Sequence, residues 1–143
     1  VEEEAIPAIS DGVGRAVADL DKFRMGVSST GAFPHPSRAR VLWAGVDEGR
    51  AAVEKVQEAV ARALQRECGF QPDRRGFHSH VTVARVRRGE VLAAEEALAD
   101  SCDTEWGHQW VGQVDLMKSD LRPGGPVHTV MDSLPLARLS STC

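Results

Sequence analysis

The sequence predicts an α+β fold, with helices packed against a mixed or antiparallel sheet. Three observations carry this. Two segments place apolar residues three and four positions apart, which is the helical period. Several shorter segments are β-branched or alternate apolar with polar residues, which is the strand pattern. The elements follow in the order helix, strand, strand, helix, strand, helix, strand, strand, which departs from the regular alternation of a parallel α/β sheet. The 143 residues fit one domain over 1–143.

Residues 2–20 hold Ile6, Ile9, Val13, Val17 and Leu20 on one helical face. Glu2, Glu3 and Glu4 suit the positive end of the helix dipole. Pro7 fits only a first turn, which sets the start of the ordered helix near Ala5. Phe23, Met25 and Val27 alternate as a strand, and 30–38 reads as a loop punctuated by Gly31, Pro34 and Pro36. Val41 to Val46 is an apolar strand of the kind covered on both faces, with Trp43 expected in the core. Asp47 as N-cap, the stripe Val53, Val56, Val60 and Leu64, and Gly69 as C-cap define a long helix. His80 to Val86 reads as a strand and 90–100 as an Ala-rich helix. Trp106 and Trp110 fall in a loop before two strands, 111–119 and 127–134, joined by a turn over 122–126.

Composition narrows the function classes. Hydrophobic residues at 42% and charged residues at 27% exclude a disordered or collagenous chain. No apolar run approaches a bilayer span, so no membrane partner is expected. A formal charge of −4 excludes a broad basic surface for nucleic acid but permits local grip on a phosphate. Three scattered Cys, and opening residues without a charged-then-apolar pattern, set the expectation of a cytoplasmic protein.

The densest polar cluster on a strand is Phe77-His78-Ser79-His80-Val81-Thr82-Val83-Ala84-Arg85. Strict alternation puts His78, His80 and Thr82 on one face, with Val81 and Val83 directed into a core. An imidazole two residues before a hydroxyl can move a proton and ligate a phosphate oxygen. Alternation aims Arg85 at the opposite face unless the strand ends or twists. A His-x-Thr triplet also occurs by chance, and a histidine on a half-exposed strand is commonly ordinary surface.

The segment FHSHVTVARV resembles the second signature of the 2H phosphoesterase superfamily, named for two His-x-Thr-x motifs. Within it the chain resembles the RNA 2′,3′-cyclic phosphodiesterases, also called 2′-5′ RNA ligases. Thr30-Gly31-Ala32-Phe33-Pro34, then Arg40 to Val46, is similar to that family's segment between its motifs, and Leu116 to Leu121 follows in the family's order. The resemblance covers essentially the whole chain and implies a two-lobed 2H phosphoesterase fold, α+β, with mixed or antiparallel sheets and helices packed outside.

Two departures stand out. Ser79 replaces the proline common before the motif histidine. The first His-x-Thr-x motif is absent: His35, His108 and His128 are not followed by threonine two positions on. With Val1 in place of Met, the expectation is a chain truncated just after its first strand and motif, inactive alone and poorly stable, with an exposed sheet edge.

The resemblance implies hydrolysis of 2′,3′-cyclic phosphate RNA ends to a 2′-phosphate, or the reverse 2′-5′ ligation, in a setting such as tRNA processing. His80 would be the general base and Thr82 the phosphate ligand. Arg85, His78 and Phe33 would bind substrate. Paired imidazoles and hydroxyls need no metal or other cofactor, and the full-length protein is expected to be a monomer. Arg74-Arg75 and Arg87-Arg88 flank the motif strand, either as solvated turns or as local attraction for RNA phosphates. The alternative from another class is a non-catalytic module that binds RNA ends. A zinc site combining His78 and His80 with Cys68, Cys102 or His108 matches no standard ligand spacing.

Overall fold

The computed structural model describes residues 3–73 and 76–138. The chain divides into two compact units. The first is built from the described residues of Val1–Phe23, Lys55–Arg75 and Val111–Cys143, the second from Arg24–Glu54 and Gly76–Trp110.

In the first unit, a 3-10 turn over Glu3–Ala5 leads into helix α1 (Ile6–Val17), with Pro7 in its first turn. Ile9, Val13 and Val17 recur every four residues and are buried. They meet Ala59 and Ala63 of helix α2 (Arg50–Cys68) and the buried Leu134 and Leu136, with Val56, Val60 and Leu64 packed alongside. Small residues set the spacing: a Cβ on Gly12 would stand 2.6 Å from Cγ of Glu67. α2 ends where Gly69 takes a positive φ of 68°. Near the chain's end, strands β5 (Gln113–Arg122) and β6 (Gly125–Pro135) form an antiparallel hairpin. Val114 pairs with Leu134 on the core side, whereas Met117 and Val130 pair on the outer face and are exposed.

The second unit is a four-stranded sheet in the order β3-β2-β1-β4. Its strands are β1 (Phe23–Phe33), β2 (Val41–Val46), β3 (His80–Arg85) and β4 (Glu105–Val111). The pairs β1–β2 and β2–β3 are antiparallel. The short helix α3 (Glu95–Ala99) closes one side with Ala94 and Leu98, which pack with Ala32, Ala39 and Leu42. Thr30 joins that side through Oγ1, which donates to the carbonyl of Leu98 at 3.3 Å.

Four sequence expectations are corrected. The loop expected over 30–38 is strand as far as Phe33. Gly26, Ser28, Ser29 and Gly31 are weak strand formers, but a central position between β2 and β4 supplies ladder partners on both sides. Trp106 and Trp110 lie in β4, not in a loop. The helix expected over 90–100 shortens to five residues, because residues 92 and 94 spend their backbone N–H groups on Ala39 and Pro36. Val81 and Val83 are 45% and 68% exposed, outside any core.

Candidate active site on the sheet of the second unit

Directly paired residues on neighbouring strands project from the same face. The registers therefore define three rows across β1, β2 and β3. Ser28, Gly45 and His80 form one row, Gly31, Trp43 and Thr82 the next, and Phe33, Val41 and Arg85 the third. The face opposite α3 thus gathers four of the five residues singled out in the sequence: His80, Thr82, Arg85 and Phe33.

Two bulges build these rows. On β1 the register jumps between Ser28 and Thr30, and Ser29 takes a positive φ of 58°. On β3 the pairing passes from Trp43–Thr82 to Leu42–Ala84, which leaves Val83 as the extra residue. The second bulge corrects the expectation for Arg85. Strict alternation sends it to the far face; the bulge at Val83 returns it to the face of Thr82 and His80.

His80 is exposed, and its Nδ1 lies 2.6 Å from the carbonyl oxygen of His78. A carbonyl only accepts, so Nδ1 carries the proton and donates. With Nδ1 protonated, Nε2 is the nitrogen that the neutral form of the ring presents as a proton acceptor. Phe33 meets the His80 ring edge-on at 5.2 Å and 81°. His78, the fifth predicted residue, stands just before β3, 4.8 Å from the Trp43 ring and 5.6 Å from Phe33.

Trp43, which sequence reasoning assigned to the core, lies on the face of the candidate site. It is half-buried on the site face, 5.4 Å from Phe33 and 6.3 Å from His80. A Cβ on Gly31 would stand 2.1 Å from Cζ2 of the indole, so the ring lies over the neighbouring strand where that side chain is missing. The readable signal was the small Gly31 together with Ala44 and Gly45 after the tryptophan. Trp43 Nε1 is buried and has no hydrogen-bond partner among the described residues.

At the end of β2, Asp47 accepts hydrogen bonds from the hydroxyls of Ser28 and Ser29 and from the guanidinium of Arg50. The Ser28 hydroxyl holds its carboxyl below the usual carboxylate range against the opposing effect of burial, with further help from Arg50 and Ser29. His108 of β4 lies 3.5 Å from Glu48, which also pairs with Arg24 at 3.6 Å. Arg87 and Arg88 are exposed just beyond β3; Arg74 and Arg75 lie outside the described residues. Among the described residues, no group of three or more His, Cys, Asp or Glu is placed to hold a metal ion. No helix among them is long and apolar enough to cross a membrane.

The family described as the 2′-5′ RNA ligase superfamily matches residues 1–122. The chain belongs to that superfamily. Its relatives include an RNA 2′,3′-cyclic phosphodiesterase of Aeropyrum pernix, 34% identical over 83% of this chain and 69% of the relative. Proteins of the same name from Aquifex aeolicus and Methanothermobacter thermautotrophicus are 31% and 30% identical, over 80% and 92% of this chain. This chain spans 61% and 71% of those two relatives. Among solved structures, TT0787 of Thermus thermophilus superimposes with a TM-score of 0.70 at 22% identity, covering 95% of this chain and 72% of that one. E. coli LigT complexed with 3′-AMP gives a TM-score of 0.70 at 23% identity, covering 95% and 71%. At that identity the two structures establish the fold: α+β, of the 2H phosphoesterase type.

Proposed function

We propose that this chain carries one half of the acid–base pair of an RNA 2′,3′-cyclic phosphodiesterase. In the proposed step, Nε2 of His80 accepts a proton from water as the water oxygen attacks phosphorus. The bond from phosphorus to the ribose 3′ oxygen breaks, and that oxygen takes a proton from the second imidazole of the pair. The products are a 2′-phosphate and a free 3′ hydroxyl; attack by an RNA 5′ hydroxyl in place of water, with the same 3′ oxygen leaving, joins the ends 2′-5′. Thr82 donates its hydroxyl to a non-bridging oxygen, and Arg85 adds positive charge from the same face, where charge builds up in the transition state. Phe33 and His78 border the ring of His80 and line the substrate side. The protein acts on RNA ends as a cytoplasmic monomer in this reading.

The observation that supports this reading best is the hydrogen bond from His80 Nδ1 to the His78 carbonyl. It leaves the outward ring nitrogen free to accept a proton, with Thr82 two residues along on the same face. The test is hydrolysis of an RNA oligonucleotide ending in a 2′,3′-cyclic phosphate by the natural full gene product. His80→Ala is expected to abolish turnover, and full activity in that variant refutes the proposal. A second reading, a binding module without catalysis, draws on the fact that His80 is the only histidine followed by threonine two positions on. It expects the natural product to bind such ends and leave them intact.

A further inference from the structure

We infer that Trp43 is a positioning residue for His80, and that the absent side chain of Gly31 is what lets it act. The inference rests on the reading of His80 as the proton acceptor and adds the element that fixes its ring.

Gly31 and Trp43 are direct cross-strand partners on the site face. Three indole atoms lie within 2.7 Å of where a residue-31 Cβ would stand: Cζ2 at 2.1, Cη2 at 2.4 and Cε2 at 2.7 Å. No ordinary side chain fits there without moving the ring. From this seat the indole contacts Phe33, His78 and His80 at ring separations of 5.4, 4.8 and 6.3 Å. His78 is the nearest of the three, and its carbonyl is the acceptor that orients His80. Contact therefore runs from Gly31 through Trp43 and His78 to the ring that moves the proton.

The indole N–H is buried with no acceptor among the described residues. Among the described residues, ring packing rather than a hydrogen bond holds the indole. A buried donor left without an acceptor is unfavourable, and phenylalanine would fill much of the space without that defect. The benzo portion of the indole, the part seated on Gly31, is what phenylalanine lacks. That portion carries the positioning.

The test is proton NMR of the ring signals of His78 and His80 in this chain, with His80→Gln used for assignment. Gly31→Ala is expected to displace both signals. Adding Trp43→Phe to Gly31→Ala is expected to return both toward the values of Trp43→Phe alone, a non-additive response that a general loss of packing does not produce. Unmoved histidine signals in folded Gly31→Ala, or simple addition of the two effects, overturns the inference. If Gly31→Ala does not fold, Trp43→Phe decides: displaced His80 signals support the inference and unmoved ones overturn it. In the natural gene product, Gly31→Ala is expected to lower kcat on the order of tenfold to a hundredfold with a smaller change in KM. Should His80→Ala leave hydrolysis intact, the catalytic reading fails while the NMR result still judges the positioning.

Discussion

Deletion of Val83, in the middle of the strand that carries the site, is expected to leave the site standing. Val83 has no partner on β2, because the pairing steps from Thr82–Trp43 to Ala84–Leu42 around it. Without it, His80, Val81, Thr82, Ala84 and Arg85 form an unbroken ladder, and His80, Thr82 and Arg85 keep their shared face. The stability change is small on both sides. Burying a whole valine side chain contributes about 1.5–3 kcal/mol; Val83 is 68% exposed, so its removal forfeits about 0.5–1 kcal/mol. Restoring regular pairing returns about 1 kcal/mol for each ladder hydrogen bond gained. The net is expected to lie within about 1 kcal/mol of zero. Deletion of Val81 is the contrasting perturbation: it makes His80 and Thr82 adjacent and turns them to opposite faces. The assays are a denaturant melt and steady-state hydrolysis of a cyclic-phosphate RNA end by the natural gene product. Loss of Val83 is expected to cost less than about tenfold in rate, and loss of Val81 to abolish turnover. Arg85→Ala should reduce the rate by the same factor with or without Val83. Equal damage from the two deletions, or an Arg85→Ala effect that vanishes without Val83, refutes the bulge as the device that brings Arg85 to the site.

Val17 is fully buried in the first unit, so Val17→Ala is expected to destabilise by about 2–3 kcal/mol, read as a lowered denaturant midpoint with an unchanged slope. Asp47 has a folded-state pKa held down first by the Ser28 hydroxyl. Its contribution is therefore present above the unfolded value near 3.9 and is lost as pH falls through the lower, folded value. The group is largely solvent-exposed, with 45% of its side chain accessible, and screening holds the effect below about 1 kcal/mol. Asp47→Asn should accordingly lower stability at pH 7 slightly and flatten its fall below pH 4; an unchanged acid-side slope contradicts this.

Local chemistry made the helices legible. The four-residue recurrence of Ile9, Val13 and Val17 marked the buried face of α1, and Gly69 marked the end of α2. His80 and Thr82 were legible for the same kind of reason, since alternation over two residues needs no information from elsewhere. What stayed hidden depends on partners distant in sequence. Strand β1 continues through Ser28, Ser29 and Gly31 because strands lie on both sides of it. The side on which Arg85 emerges depends on a bulge defined only against β2. Trp43 looked like core because its strand is uniformly apolar; its placement depends on a glycine twelve residues earlier. The alternation of Trp106, His108 and Trp110 was a readable strand pattern that the surrounding polarity obscured.

The order in which the chain is made bears on how it reaches this fold. All residues of the second unit lie between positions 24 and 110, so its sheet can pair as soon as that stretch has left the ribosome. The first unit cannot do the same. Ser10 donates its hydroxyl to Asp132 across 122 positions. Ile9 and Val13 share a cluster with Leu134 and Leu136, and the N–H of Ala137 reaches the carbonyl of Leu20 at 2.8 Å. The apolar stripe of α1 is synthesised well before Leu134 and Leu136, which complete its cover. Until that segment emerges the stripe lacks this part of its cover and is open to non-native contacts, and a transcript cut short before Leu134 yields a product with this core left open.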